Sequence, residues 1–375
     1  MTIPIRFLLS IRLDLGRTSV RAGLLVCLPV FALLAAGPVH AATLTVCPSG
    51  CDFSAIQPAV DSALSDDTIR IYSGVYPGSV SITDKSLVLQ GDGPTRTVIR
   101  EDPLSGSPIV ILSCSQSFPI TIQDLAITNT HSGIPRAPGL DNSGCELKLK
   151  NSSVTGNGVG ISHSGSTLSI ENSVVANNEQ GISVASGTGT LIHSAVTNNS
   201  GRFGLGIGIG TSGALRVKFS TISNNGGSFG PGGIENSGEL VVSRSTITNN
   251  TTTSMGGGIM NKGIATLNNS MIVNNVAEAG DGGGIFNFGM LTLTRSTVHS
   301  NKAICEVDQP ICEPPPHGGR GGGIFNAGSA TLIGSLIMSN FATYDGGGAF
   351  NEGGTMSQTD GTLIMNNTPD DCVGC

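Results

Sequence analysis

The sequence predicts an all-β fold built from stacked copies of one short unit, and three observations predict it. First, the pattern apolar-x-apolar-x-x-Ser-x-apolar, followed by a pair of Asn residues, returns repeatedly from Leu147 onward. Second, the spacing between copies is nearly fixed, as expected for stacked similar units. Third, 54 residues are Gly, far above the ordinary share of ~7%, which implies small cores and tight turns. The Ser of the pattern falls at Ser152, Ser173, Ser194, Ser220, Ser245, Ser270, Ser296 and Ser335.

Within one unit, the alternation of inward and outward residues indicates short strands, for example at Leu240-Val241-Val242, Ser245-Thr246-Ile247 and Gly257-Gly258-Ile259. No part of the repeat is long enough to form a crossover helix. Three short strands per repeat close most simply as a right-handed parallel β-helix solenoid, in which each repeat is one rung about 4.8 Å above the last. The leucine-rich repeat is the nearest alternative by period, but its Leu-x-x-Leu-x-Leu pattern and its helix are missing.

Stacking places equivalent residues in columns. An apolar column is predicted at Ile161, Ile182, Ile209, Ile234, Ile259, Ile285, Ile324 and Ala349. Two residues further on, we expect an amide ladder at Asn236, Asn261, Asn287, Asn326 and Asn351, in which each side chain bonds the one above and below. The Asn pairs, such as Asn249-Asn250, predict a second amide column. These Asn residues are therefore assigned to structure rather than to a site.

The first 41 residues are typical of an export signal. Four arginines precede an apolar run at residues 22–36, and Val39-His40-Ala41 resembles a cleavage site. A membrane anchor is the alternative, but the apolar run is shorter than the roughly 20 residues that a membrane-spanning helix needs. We expect a mature chain that begins at Ala42, has no membrane span and is located outside the cytoplasm, at the cell surface, in the periplasm or in the medium.

The remaining chain is acidic. The signal removes four of 19 basic and one of 26 acidic residues, so 15 basic and 25 acidic residues leave a net charge of −10. This charge argues against nucleic acid and against anionic membrane surfaces as partners.

Eight cysteines follow the signal and fall into local pairs, which in an exported chain indicates disulfides. A zinc site is the alternative, but its ligands would lie at opposite ends of the stack, so no metal is expected. The expected pairs are Cys47 with Cys51, Cys114 with Cys145, Cys305 with Cys312, and Cys372 with Cys375.

The two ends of a stacked fold need covering, because they expose unpaired strand edges. Within residues 53–64, Ile56, Ala59, Val60 and Ala63 have helical spacing, which predicts an N-terminal capping helix. We divide the chain into the signal peptide (1–41), the cap and first rungs (42–130), and the regular repeats with a C-terminal cap (131–375). The long spacing before Ser335 indicates a loop of about 13 extra residues at residues 305–317, and such insertions are often functional.

Residues 52–100 resemble the opening of pectin methylesterases and related carbohydrate-active β-helix proteins. The matching segments are Asp52-Phe53-Ser54-Ala55-Ile56-Gln57, Ala59-Val60-Asp61, Ile71-Tyr72-Ser73-Gly74-Val75-Tyr76 and Leu87-Val88-Leu89-Gln90-Gly91. This resemblance implies the pectin-lyase-like fold. The chain departs from those enzymes in having no Trp and no Asp-Phe-Ile-Phe-Gly motif, and the polygalacturonase and calcium-lyase motifs are missing too.

Residues 232–351 look like the repeats of polymorphic outer-membrane proteins and of secreted bacterial β-helix surface proteins. The shared motif is Gly-Gly-Gly-Ile-Phe-Asn, at residues 282–287 and 321–326. The resemblance implies a surface or adhesive role.

Three charged residues are the catalytic candidates. Asp281, Arg320 and Asp345 each precede a triple Gly on successive rungs, so we expect the Arg between two carboxylates. If the three residues are catalytic, this arrangement fits a lyase-like base with acidic partners. As structure it is an ion ladder, which contributes at most about 1 kcal/mol per pair at a surface.

Two further columns are candidates for ligand binding. Phe286, Phe325 and Phe350 follow the apolar column on three rungs, and they form either an exposed aromatic row for sugar rings or a stacked core. Arg244 and Arg295 precede the Ser column and form either a solvated stripe or a contact for acidic polysaccharide.

These patterns predict an exported binding or structural protein that recognises polysaccharide or another cell-surface polymer. The alternative is a polysaccharide-processing lyase, esterase or hydrolase with an unfamiliar site. No cofactor is expected, and calcium is considered only under that enzymatic alternative. Fold by itself does not decide between the two.

Overall fold

The computed structural model describes residues 41–100, 109–129, 137–201, 208–305 and 318–375, which coil through long parallel sheets. Each coil passes through sheet A, then sheet B, then sheet C, and returns to sheet A one rung further on. From residue 226 a short fourth sheet lies between sheets B and C. This architecture confirms the predicted right-handed parallel β-helix. Residues 1–40 of the predicted signal lie outside the described residues, and the division at residue 130 stays a prediction.

The strands of the sheets are short and pair in parallel with their equivalents on neighbouring rungs. Sheet A contains Thr43–Val46, Asp67–Ile71, Leu87–Gln90, Pro119–Gln123, Glu146–Lys150, Thr167–Glu171, Thr188–Ile192, Ala214–Lys218, Glu239–Ser243, Ile264–Asn268, Met290–Thr294, Ser329–Ile333 and Thr355–Thr359. Sheet B contains Gly74–Pro77, Thr97–Arg100, Ala126–Thr128, Ser153–Thr155, Val174–Ala176, Ala195–Thr197, Thr221–Ser223, Thr246–Thr248, Met271–Val273, Thr297–His299, Leu336–Met338 and Leu363–Met365.

Sheet C completes each coil, and from residue 226 the short sheet precedes it. Sheet C contains Val80–Thr83, Val110–Ser113, Leu140–Ser143, Val159–Ser164, Gln180–Val184, Ile209–Thr211, Ile234–Asn236, Ile259–Asn261, Ile285–Asn287, Ile324–Asn326, Ala349–Asn351 and Cys372–Val373. The short sheet contains Gly226–Gly227, Thr251–Thr252, Val276–Ala277, Lys302–Ala303 and Phe341–Ala342.

The core is made of the inward-facing residues of each strand. The predicted apolar column is confirmed, because Ile234 pairs with Ile259 and Ile259 with Ile285, and all three are fully buried. Leu240 and Val242 occupy the equivalent inward positions on sheet A. Outward residues alternate with these, so each sheet presents two or three columns to solvent.

The predicted capping helix is confirmed as a short helix, Ile56–Ser62. Its buried residues are Ile56, Ala59 and Val60, and it packs against strands of sheets A and C in the first coils. Apolar residues at helical spacing thus cover the start of the core. Within the described part of the chain, no helix is long and apolar enough to cross a membrane.

Three of the four expected disulfides are present: Cys47–Cys51, Cys114–Cys145 and Cys372–Cys375. Cys305 is also disulfide-bonded, whereas Cys312 and the insertion at residues 306–317 lie outside the described residues.

Buried amide ladders hold the rungs in register. Asn250 donates through Nδ2 to the Asn275 side-chain oxygen at 2.9 Å and to the Ile222 carbonyl at 3.1 Å. Its own Oδ1 accepts from the backbone and side-chain nitrogens of Asn225. The second ladder, from Asn236 through Asn261 onward, has 2.7 Å steps. Both predicted amide columns are therefore confirmed, and they satisfy polar groups that would otherwise be costly to bury.

Each sharp corner uses a residue in the left-handed region. The first Asn of each pair lies there, as at Asn249 with φ of 54°, while the second enters the ladder. The corner between sheets A and B uses the residue before the Ser column, as at Arg244 with φ of 48°. The Ser that follows at that corner accepts a hydrogen bond from the preceding rung, as when Ser220 N donates to Ser245 Oγ at 3.1 Å. Asn tolerates this backbone conformation better than most residues, which explains why the first position of each pair is Asn.

We predict that Asn250→Ala lowers the free energy of unfolding by at least about 2 kcal/mol, because buried donors and acceptors on both neighbouring rungs lose their partner. Asn249→Gly is the matched control, since Gly keeps the left-handed corner and this side chain lies outside the ladder. Thermal unfolding followed by circular dichroism measures both. Equal melting temperatures for the two variants would contradict the role of the ladder.

His163 predicts a pH dependence of stability. The imidazole is buried in the ladder column, where its Nδ1 lies 2.8 Å from Asn142 Nδ2, and burial lowers the pKa of His163 below its ordinary value of 6.5. The unfolded chain therefore binds a proton at a higher pH than the folded chain does. Stability is fully present above about pH 6.5 and decreases as the pH falls through the folded-state pKa.

Urea unfolding of wild type and His163→Asn between pH 7.5 and pH 5 measures this contribution. Asn suits the ladder column and does not titrate, so we expect the variant to lose less stability over this range. The same pH dependence in both proteins would show that His163 does not contribute.

Candidate functional site

Asp281, Arg320 and Asp345 lie directly above one another where the chain enters sheet C. The Gly after each residue has a positive φ, and a Cβ at Gly282 would lie 2.6 Å from the Ile285 carbonyl oxygen, so only Gly fits there. Backbone bonds of 3.0 Å run from Gly282 N to the Arg320 carbonyl and from Gly321 N to the Asp345 carbonyl. The column predicted from the sequence is therefore present.

Arg320 lies between two carboxylates, but the second is Glu352 rather than Asp345. Its backbone N and Nη2 each lie 2.8 Å from the Asp281 carboxylate, and its Nη1 lies 2.8 Å from Glu352 Oε1. The side chain of Asp345 is exposed and has no ion pair among the described residues. The expected pairing with Asp345 is thus wrong, because the Arg side chain extends across the outer face of sheet C instead of along the corner.

Burial governs the electrostatics of this cluster. The Asp281 side chain is only 3% exposed and that of Arg320 17% exposed. Burial raises the pKa of Asp281, while the hydrogen bonds and charge of Arg320 act in the opposite direction. Burial acts to lower the pKa of Arg320, but its bonds to Asp281 and Glu352 outweigh this and raise it. A buried carboxylate and a guanidinium that already satisfy each other favour the structural alternative.

The Phe column lies beneath Arg320. Phe286 and Phe325 stack with ring centroids 4.7 Å apart and are 2% and 1% exposed, and Phe350 stacks next at 5.7 Å. The Arg320 guanidinium lies 5.0 Å from the ring centroids of both Phe325 and Phe350. The idea of an exposed row is therefore wrong for Phe286 and Phe325. Their side chains point away from the main core, but neighbouring rings and Arg320 cover them.

The outer face of sheet A carries a cluster of cations that we call the basic face, formed by Lys148, Lys150, Arg216 and Lys218. Lys148 and Arg216 share one column, and Lys150 and Lys218 share the next. The members of each column are three strands apart, or about 14 Å, and the columns are separated by about 6.7 Å. Lys148 pairs with Glu171 at 2.8 Å, and Arg216 is 3.8 Å from Glu239.

The corner between sheets A and B holds Arg244 beside the basic face and Arg295 two rungs further on, both exposed as expected. Phe219 occupies the same corner one rung before Arg244. Its ring is stacked on His193 with centroids 5.0 Å apart, and the Arg244 guanidinium lies 5.6 Å from it. Phe219 is 46% exposed, so the corner presents an aromatic surface between cations.

Sequence reasoning missed the basic face and Glu352. A signal for the first was available, because Lys148 and Lys150 precede Ser152 by four and two residues, as Arg216 and Lys218 precede Ser220. Residues at the same offset from the repeat Ser occupy the same column of the stack. No comparable signal identified Glu352, because the reach of Arg320 across the sheet depends on side-chain packing.

Within the described ranges, no three His, Cys, Asp or Glu side chains come together in a group that could hold a metal ion.

A family model described as the right-handed beta helix region matches residues 157–368. The match spans 212 of the 375 residues, more than half of the chain. The chain belongs to this right-handed β-helix family. No curated protein matches the sequence significantly.

Several solved structures share the β-helix fold at low sequence identity. Pectate lyase Pel9A is 17% identical, with 88% of this chain and 79% of that chain covered and a TM-score of 0.40. The A-module of mannuronan C-5 epimerase AlgE4 from Azotobacter vinelandii is 14% identical, with 85% and 94% covered and a TM-score of 0.47. The Dettilon tailspike protein is 14% identical, with 78% and 62% covered and a TM-score of 0.44. These likenesses concern the fold alone.

We predict that Arg320→Ala destabilises this β-helix protein by about 3–5 kcal/mol, because buried Asp281 then loses its counter-charge and keeps only the hydrogen bond from the backbone N of residue 320. The double variant Asp281→Ala with Arg320→Ala removes both charges and should cost less than the sum of the single changes. Denaturant unfolding of all four proteins gives the coupling energy. Additive effects would contradict a stabilising interaction between Asp281 and Arg320. Unchanged stability of Arg320→Ala would return the cluster to the catalytic candidates.

Proposed function

We propose that this protein is an exported binding protein that holds an acidic polysaccharide against the basic face of sheet A. Three disulfides in the described residues suit an oxidising compartment outside the cytoplasm. The cations of the chain are distributed unevenly over its surface.

The observation that carries the proposal is the concentration of cations on one side of an acidic protein. The whole chain has a net charge of −7, and the described residues contain 13 Lys and Arg. Five of these 13 lie on the basic face or at its corner: Lys148, Lys150, Arg216, Lys218 and Arg244. Three carboxylates, Glu146, Glu171 and Glu239, lie on outward positions of the same sheet, and Asp124 lies at the corner beside Lys150, so five minus four leaves a local charge of +1.

Several of these cations are available to a ligand. Within the described residues, Lys150, Lys218 and Arg244 have no carboxylate within 4 Å. A ligand carboxylate or sulfate that binds them does not have to displace a protein partner. Phe219 supplies an exposed ring beside them, and aromatic rings pack well against the apolar faces of sugars.

The arrangement fits an extended polysaccharide better than nucleic acid. The cations form a stripe along the stack, spaced by about 14 Å within each column. The rest of the protein is acidic and repels a polymer as densely charged as nucleic acid. The enzymatic alternative is not favoured, because Arg320 and Asp281 are already bonded to each other.

Isothermal titration with polygalacturonate and with alginate tests the proposal. We expect Lys218→Glu to weaken binding to the preferred polymer at least about ten-fold, or ~1.4 kcal/mol. Binding should also weaken as salt rises, since the contacts are exposed charges. Lys302→Glu is the matched control, because Lys302 is exposed on the short sheet, away from the basic face.

Two results would overturn the proposal. One is no binding of either acidic polymer by wild type at low salt. The other is equal affinity for wild type, Lys218→Glu and Lys302→Glu.

A further inference from the structure

The outer face of sheet A changes character along the stack. Beyond residue 264, the outward positions of its last four described strands carry no charged side chain, and we call this surface the neutral face. Its twelve residues are Ile264, Thr266, Asn268, Met290, Thr292, Thr294, Ser329, Thr331, Ile333, Thr355, Ser357 and Thr359. Eight of the twelve are Thr or Ser. Charged residues occur only at the flanking corners, as at Lys262 and Arg295.

Hydroxyl groups form a regular row on the neutral face. Thr266 pairs in register with Thr292, Thr292 with Thr331, and Thr331 with Ser357. Successive hydroxyls are thus about 4.8 Å apart along the stack. In the described part of the chain, the side chains of Thr266 and Thr292 have no hydrogen-bond partner, so their hydroxyls are free to bond a ligand.

An apolar ridge borders this row. Ile264 and Met290 pair in register at the first outward position and are 50% and 59% exposed. Phe288, two residues before Met290, is 53% exposed. Its ring is held edge-on against buried Phe286 with centroids 4.6 Å apart. Three large apolar side chains in contact with solvent, beside free hydroxyls, are typical of a binding surface rather than of a solvated face.

We propose that the neutral face and its apolar ridge bind an uncharged, extended polysaccharide chain that runs along the stack. A pyranose ring has apolar C–H faces and a hydroxyl-bearing edge. The faces would pack on Ile264, Met290 and Phe288, while the edges bond to Thr266 and Thr292. One rung advances by nearly the length of one sugar unit in an extended chain, so successive sugars meet equivalent groups.

Charge separates this ligand from the one proposed for the basic face. No cation lies among the twelve residues, and Lys262 and Arg295 lie only at the flanking corners, so a carboxylate or sulfate brought onto the middle of the neutral face would lack a counter-charge. An uncharged chain loses no ionic hydration there. This inference therefore adds a second ligand class and a second set of residues, and it does not depend on the acidic-polysaccharide proposal.

Affinity electrophoresis tests the inference with the full mature chain in native gels that contain barley β-glucan, xyloglucan, galactomannan or, as the acidic comparison, alginate. We expect at least one neutral polymer to retard wild type. Met290→Ala should weaken that retardation about five-fold by trimming the ridge, and Thr292→Asp should abolish it by placing an unpaired charge in the hydroxyl row. Lys218→Glu should leave it unchanged while reducing retardation by alginate.

All variants change exposed or half-exposed side chains, and melting temperatures confirm that they fold. No retardation by any neutral polymer would overturn the inference, as would equal retardation of wild type, Met290→Ala and Thr292→Asp. Sedimentation without ligand supplies one more decisive result. A wild-type dimer that Thr292→Asp dissociates would assign the neutral face to self-association instead.

Discussion

The buried amide of the second Asn in each pair is the interaction on which the rest of this structure depends. Each such amide bonds an amide on the next rung and a carbonyl on the rung before, as Asn250 does with Asn275 and Ile222. A strand presents alternate residues to opposite faces, so a shift of one residue would turn the core outward. By fixing the register at every corner, the ladder decides both which side chains are buried and which columns face solvent.

Because the register is fixed, the position of a residue within its repeat decides which surface column it occupies. The cations of sheet A lie two and four residues before a repeat Ser, and the uncharged residues of later repeats occupy the same offsets. Because every rung repeats these offsets, the basic face and the neutral face form one continuous surface whose two halves differ in charge. The ligands that we propose for the two halves differ for this reason, an acidic polymer for the first and an uncharged one for the second. A solenoid can thus change ligand chemistry along its length without altering its backbone.

The cluster around Arg320 shows how a long interruption is accommodated. Asp281 and Arg320 are 39 residues apart in sequence but lie on adjacent rungs, because the insertion at residues 306–317 falls between them. Their ion pair joins the two rungs directly after the insertion, where the strands Ile285–Asn287 and Ile324–Asn326 are again in register. Burying two charges is costly, so such a pair contributes more to fixing one arrangement than to overall stability.

The sequence by itself determined the coil, the apolar column, both amide ladders, the capping helix and three disulfides among the described residues. These features repeat at fixed offsets or involve residues close in sequence, so periodicity is enough to predict them. The tertiary structure alone decided that Arg320 bonds Glu352 and not Asp345, and that Phe286 and Phe325 are buried. The first depends on how far the Arg320 side chain reaches across the sheet. The second depends on which neighbouring side chains cover the outward-pointing rings. Such packing is set by rotamers and neighbours on other rungs, which a repeat pattern does not encode.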